Sequence, residues 1–160
     1  SDRLVGSEMC IRDRIYGIQN ISLKGRLEEI KSGNLKTIAG NNRLIVDGGH
    51  NISASLSIAN WIKNQNQEVN LIVGMMKDKE HLEFIKSFRK IVNSITLIDI
   101  PNQDGAISKE DLESKLNDLN LNIKRSQSIE SAIKSLSKNE NTITVCIGSL
   151  YLAGEILKLN

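Results

Sequence analysis

Residues 44–62, LIVDGGHNISASLSIANWI, change their hydrophobic period in the middle. Leu44 to Val46 form a short, continuous run rich in β-branched side chains, the pattern of a strand buried on both faces. Beyond Asp47 the apolar residues recur three or four apart, at Ile52, Leu56, Ala59 and Ile62, which is the spacing of one helix face. Asn51 or Ser53 offers the side-chain oxygen that caps such a helix. The stretch therefore reads as strand, turn and helix, with the polar cluster Asp47-Gly48-Gly49-His50-Asn51 at the hinge.

The same unit recurs downstream. Strand-like runs lie at Val69–Val73, Ile95–Ile100, more weakly Leu121–Ile123, and Thr142–Ile147. Helical spacing appears at Leu82, Ile85, Phe88 and Ile91, at Leu112, Leu116 and Leu119, at Ile129, Ile133 and Leu136, and from Leu150 to Leu159. Ser108 to Asp111 fits the Ser-x-x-acid capping box before the third helix. Upstream, Gly25–Ile30 reads as a further strand, Ser32-Gly-Asn34 as a turn, and Asn34–Asn42 as a hairpin extension. Parallel neighbours need crossover connections, so the order predicts an α/β fold. It is a Rossmann-like three-layer domain, a mostly parallel sheet of about six strands with helices on both faces.

Composition narrows the function. The chain has 160 residues, 39% of them hydrophobic, which suits one domain with one ordinary core. Twenty-one Lys and Arg against 19 Asp and Glu leave a formal charge of +2, without the basic footprint that nucleic acid or an anionic membrane surface requires. Cys10 and Cys146 make no disulfide framework, and His50 and His81 lack zinc-ligand spacing, so no metal ligands are assigned within this chain. No apolar run approaches the ~18 residues of a membrane span, and no secretory signal is evident. A cytoplasmic monomer is the expectation. Residues 1–14 carry neither period and are read as a leader outside the domain, either non-native sequence or a disordered native linker, so the domain proper spans 15–160.

In open parallel sheets the ligand crevice lies beyond the carboxyl ends of the strands. The residues there are Asp47 to Asn51, Gly74 to Lys79, Asp99 to Asp104, and Gly148-Ser149. Glycines let backbone approach a ligand, and helix N-termini offer unpaired N–H groups to anions. A carboxylate such as Asp47 can accept from sugar hydroxyls, His50 can stack or hold a carboxylate, and Asn51 can donate and accept. The competing reading makes Asp47 and Asn51 turn caps and His50 a bystander. Lys77, Asp78 and Lys79 read equally well as a solvated turn, Met75, Met76 and Trp61 as packing residues, and His81 as an exposed residue in a first helical turn.

Four segments in order resemble one family. Gly25-Arg26-Leu27-Glu28 is similar to a Pro-Gly-Arg-x-Gln/Glu strand, and Asp47 to Asn51 to an Asp-Gly-Ala-His-Asn signature. Gly74 to Lys79 is similar to a Gly-Met-x-x-Asp-Lys turn, and Gly148 to Glu155 to a closing Gly-Ser-x-Tyr-x-x-Gly-Glu segment. These are motifs of the folylpolyglutamate synthase and dihydrofolate synthase family of the Mur ligase superfamily. The chain departs from them at Leu23-Lys24, where Trp-Pro is common, at Ile52, where proline is, and at Glu80, which replaces an aspartate.

The resemblance implies the C-terminal domain of an ATP-dependent ligase that adds L-glutamate to dihydropteroate or a reduced folate through an acyl phosphate. It implies Arg26, Asp47 and Asn51 as ATP-binding residues, and His50 and Ser149 as contacts for glutamate; the plainer readings are a surface arginine on an edge strand for Arg26 and an ordinary N-cap of the last helix for Ser149. Gly48, Gly49, Gly74, Lys77 and Asp78 would line the crevice. No residue of this chain would act as a nucleophile or other catalytic group. Magnesium would accompany ATP, its ligands lying mainly in an N-terminal ATPase domain, as would the Gly-x-x-x-x-Gly-Lys-Ser/Thr phosphate loop, which this chain does not contain. Other classes remain open at this stage: a Mur-type cell-wall amino-acid ligase, or a non-enzymatic α/β binding module.

Overall fold

The computed structural model describes residues 26–160. The leader, Cys10 and Gly25 lie outside the described residues. Six strands form one sheet: β1 (Glu28–Ile30), β2 (Arg43–Val46), β3 (Val69–Val73), β4 (Ser94–Leu97), β5 (Ile123–Arg125) and β6 (Ile143–Ile147). Their spatial order is β1-β2-β6-β3-β4-β5. Only β1 runs antiparallel, with Glu28 opposite Val46, and every other pairing is parallel. The expected doubly covered, mostly parallel sheet is what the chain forms.

Six helices cover it: α1 (Asn34–Ala39), α2 (Ile52–Lys63), α3 (His81–Lys86), α4 (Lys109–Lys115), α5 (Ile129–Leu136) and α6 (Leu150–Leu159). One face of the sheet, through Ile45, Leu71, Val73, Ile95 and Val145, packs against Ile58 and Ile62 of α2, Phe84 and Ile85 of α3 and Leu112 of α4. The other face, through Leu44, Val46, Ile72 and Cys146, packs against Leu35 of α1, Ile133 of α5 and Ile156 of α6. Alternate residues of β2 and β6 thus serve opposite layers, which is why these runs are mostly apolar and, beyond Arg43, buried throughout, Thr144 included. Burial pushes the Cys146 thiol up to about 12, so it packs as a small apolar residue and is not a nucleophile at neutral pH.

Several boundaries differ from the sequence reading. Asn34–Asn42 is no hairpin extension, because residues 34–39 form α1. Gly33 and Gly40, both with positive φ, bracket α1. Its open N–H groups are met by a residue 125 positions away: Asn160 Oδ1 accepts from Leu35 N at 3.0 Å. No local window could show that cap. The predicted α3 pattern reaches Ile91, but the helix ends at Lys86 and tightens into turns around Phe88, and the α4 pattern closes with a separate 3₁₀ turn at Asn117–Leu119. β4 stops at Leu97, short of Ile100, and the weak fifth strand lies at Ile123–Arg125, downstream of Leu121.

His81 is a further correction. It is buried, 3% exposed, and its Nε2 lies 2.8 Å from the Met76 carbonyl oxygen. The ring is a strut inside the β3–α3 connection, its Nε2–H donating to a backbone carbonyl of that turn. Met75 is fully buried, and Trp61 packs partly buried under the Arg43 guanidinium at 6.0 Å, in keeping with packing roles.

Candidate functional site

The end of β2 carries the site. Asp47 N still donates to the Cys146 carbonyl, so its backbone belongs to the sheet, and the chain then turns through Gly48 and Gly49 into α2. Asn51 caps α2, its Oδ1 accepting from Ala54 N at 2.8 Å. An extended cap and a helix start leave the N-terminal end of α2 facing a cleft of about 450 Å3. That volume lies within the range of small-ligand sites. Arg26, Asp47, Gly48, Gly49, His50 and Asn51 all line it.

Asp47 is 8% exposed, and both its oxygens are engaged. Oδ1 accepts from Gly49 N at 2.6 Å, and Oδ2 accepts from Leu27 N at 3.1 Å. A Cβ on residue 49 would lie 2.6 Å from the Ala54 Cβ and 2.8 Å from Asp47 Oδ1, so glycine is what permits this tight turn. Burial raises the Asp47 pKa above 3.8, against the opposing pull of the Gly49 and Leu27 N–H groups and the Arg26 charge. Desolvation is the larger effect. A carboxylate so placed favours neutral hydroxyl donors or a nearby cation over water.

His50 Nδ1 lies 3.2 Å from the Gly48 carbonyl oxygen. A hydrogen bond there requires the proton on Nδ1, which leaves Nε2 an acceptor in the neutral ring. Arg26 is exposed at the rim, two residues ahead of edge strand β1. The site thus combines a cation, a partly desolvated carboxylate, an imidazole and a helix N-terminus. That set suits a ligand carrying both anionic and hydroxyl groups.

The other expected residues lie elsewhere. Ser149 is buried, and its Oγ accepts from Tyr151 N at 3.0 Å as the cap of α6, while its neighbour Leu150 lines the cleft. Gly74 is pressed against Gly148 where β3 and β6 end, and Lys77 and Asp78 are exposed on the β3–α3 turn; none of the three lines this cleft. Residues 101–107 close that turn, with Lys77 N donating to Gly105 O at 2.8 Å and Ile107 N to Met75 O at 3.0 Å. Asp99 pairs with Lys109 at 2.6 Å, which outweighs its slight burial and lowers its pKa. Sequence reasoning missed Leu27, Ala54, Ser57, Ile58 and Leu150 as lining residues and took Ser53 only as a cap. Helical spacing from His50 would have found Ser53, Ala54, Ser57 and Ile58, since three- and four-residue steps share a face.

Residues 31–159 match the family described as dihydrofolate synthetase, C-terminal domain. A probable dihydrofolate synthetase of Schizosaccharomyces pombe is 22% identical over 159 residues, covering 89% of this chain and 35% of that protein. Among solved structures, Mycobacterium tuberculosis folylpolyglutamate synthase complexed with ADP and AMPPCP superimposes with a TM-score of 0.71 at 18% identity, over 84% of this chain and 31% of that one. The bifunctional folylpolyglutamate synthase/dihydrofolate synthase of Yersinia pestis with Mn, AMPPNP and L-glutamate bound gives 0.64 at 17% identity, over 84% and 30%. The chain spans about a third of the length of these relatives. Matched over most of its length by that family, and folded as the solved relatives are, the chain belongs to the dihydrofolate synthetase C-terminal domain family.

Proposed function

We propose that this chain is the C-terminal domain of an ATP-dependent ligase that joins L-glutamate to dihydropteroate, a reduced folate, or both. The observation that carries the reading is the cleft at the end of β2, where Arg26, Asp47, His50 and Asn51 meet. The family match and the nucleotide- and glutamate-bound relatives support it over a cell-wall ligase or a non-enzymatic module. The cytoplasm is the proposed location, and no helix among the described residues is long and apolar enough to cross a membrane.

In this reading Arg26 meets the phosphates, where a planar, permanently charged fork suits phosphate oxygens. Asp47 accepts from the ribose hydroxyls, and Asn51 borders the nucleotide. His50 stands beside the incoming glutamate, and Gly48 and Gly49 let the backbone close on the ligand. The ATP γ-phosphoryl group passes to the substrate carboxylate. The glutamate amine then attacks the acyl carbon and loses a proton, and phosphate leaves as the amide bond remains. The domain contributes positioning and charge neutralisation to this sequence.

A divalent cation does not fit the described residues. Asp47 is a single carboxylate, and no group of three His, Cys, Asp or Glu side chains among the described residues is placed to hold a metal. We assign no step to it here, and place its ligands, with the phosphate loop, in an upstream ATPase domain that would be the principal partner.

The test is glutamate-dependent ADP release by the complete gene product. Arg26→Ala and Asp47→Ala should each raise the ATP KM or slow turnover about tenfold or more, the loss of a charge-assisted contact of ~1.5–3 kcal/mol. Wild-type ATP kinetics in both variants would overturn the assignment.

A further inference from the structure

Among the described residues, the non-glycine positions with positive φ are three asparagines, Lys90 and Leu27. Asparagine tolerates the left-handed region because its short amide bonds locally, whereas leucine has no such compensation. Leu27, at φ 45, is therefore held there by its surroundings. Two contacts do the holding. Its side chain packs partly buried against the core beneath α2, and its N–H donates to Asp47 Oδ2 at 3.1 Å.

The register explains why a side chain is needed. Glu28 pairs with Val46, so Leu27 falls opposite Asp47, just where β1 leaves the ladder. The Asp47 carboxylate takes over as acceptor at that step, while its other oxygen holds Gly49 N. One buried carboxylate thus ties the segment bearing Arg26 to the turn bearing His50 and Asn51. The φ of Leu27 sets the direction in which the chain leaves β1 toward Arg26, and both residues line the cleft.

We infer that Leu27 is a positioning residue: clasped in a left-handed conformation by the Asp47 carboxylate, it fixes where the Arg26 guanidinium meets the anionic end of the ligand. The clasp is read from geometry alone, and the identity of the ligand rests on the nucleotide reading above. Asp47 then serves the anionic end indirectly, through Arg26, in addition to any contact of its own.

Two arms test this. In the 160-residue chain, amide exchange at Leu27 should be slowed about tenfold or more, and the protection should vanish in Asp47→Ala. A fast-exchanging Leu27 amide in the wild-type chain overturns the clasp. In the complete gene product, Leu27→Val disfavours positive φ and should raise the ATP KM about fivefold or more, with kcat within about twofold. Leu27→Asn, which keeps the left-handed backbone, should stay within about twofold of wild type. The double variant Arg26→Ala/Leu27→Val should be no worse than Arg26→Ala. Equal losses in the Val and Asn variants, or a full Val effect without Arg26, overturn the positioning role. A protein with a protected Leu27 amide but no ATP-dependent ligation removes the nucleotide reading instead, and with it the role assigned toward that ligand.

Discussion

The turns after β2 and β3 look alike as strings, each a buried strand followed by a short segment that contains glycine and charged residues, yet they are built differently. After β2 the glycines fold around a carboxylate, and the polar groups of Arg26, His50 and Asn51 border open space. After β3 the backbone is spent on its neighbours: Met76 bridges Ala106, Lys77 N bonds Gly105 O, and the His81 ring bonds Met76 O. A strand-end turn serves a ligand where its polar groups border open space, even when each already makes a local bond. The first turn should therefore be sensitive in function, and the second in stability.

The joint between them should be the most sensitive point. Gly148 has φ 114, and a Cβ there would lie 2.5 Å from the Gly74 carbonyl oxygen, a backbone atom that cannot swing away. Gly148→Ala is expected to cost about 3 kcal/mol or more, lowering Tm by roughly 10 °C. An unchanged melting curve would mean that the two turns are not packed against each other. Next in size, His81→Ala removes a buried ring and its bond to the Met76 carbonyl and should cost about 1–3 kcal/mol, whereas His50→Ala should leave stability within about 0.5 kcal/mol. Equal losses at both histidines in denaturant titrations would erase the contrast.

Asp47 sharpens the comparison through pH. Its folded pKa is raised by burial, so its contribution to stability is fully present below the unfolded value near 3.8 and is lost as pH rises through the folded value. Asp47→Asn removes that loss, at a constant cost from leaving the Leu27 N–H without its acceptor. The stability of the variant relative to wild type should therefore climb over the interval from about pH 3.8 upward, as the folded carboxyl loses its proton. A difference that stays flat over this interval contradicts a desolvated carboxylate. The smallest effects belong to Lys77→Ala and Asp78→Ala, expected within about 0.5 kcal/mol in stability. ATP kinetics of the complete protein should stay within about twofold, and a tenfold loss in either variant would move the functional rim toward the second turn.

Much of this architecture was legible in the chain. Alternation between apolar runs and helical spacing predicted the parallel sheet because strands buried on both faces read as nearly continuous apolar runs, as Leu44–Val46 does and as Ile143–Ile147 does apart from Thr144. The cluster at 47–51 stood out because glycine, imidazole and carboxylate side chains at a strand end have few packing uses. What stayed hidden depended on contacts that local periodicity does not encode. α1 looked like a hairpin because its cap comes from Asn160, and His81 looked exposed because the carbonyl it bonds lies in a turn without local periodicity.

By itself, then, the sequence determined the order of elements from β2 onward, the layers, and the turn that would carry Asp47, His50 and Asn51, all consequences of local spacing and side-chain chemistry. Only the tertiary structure decided which turn would stay open, that Asp47 would be desolvated and shared between Gly49 and Leu27, and that Ser149 would cap a helix within the interior. Those outcomes turn on burial and on which segments the fold brings together, Leu27 with Asp47 above all, and neither leaves a trace in local periodicity.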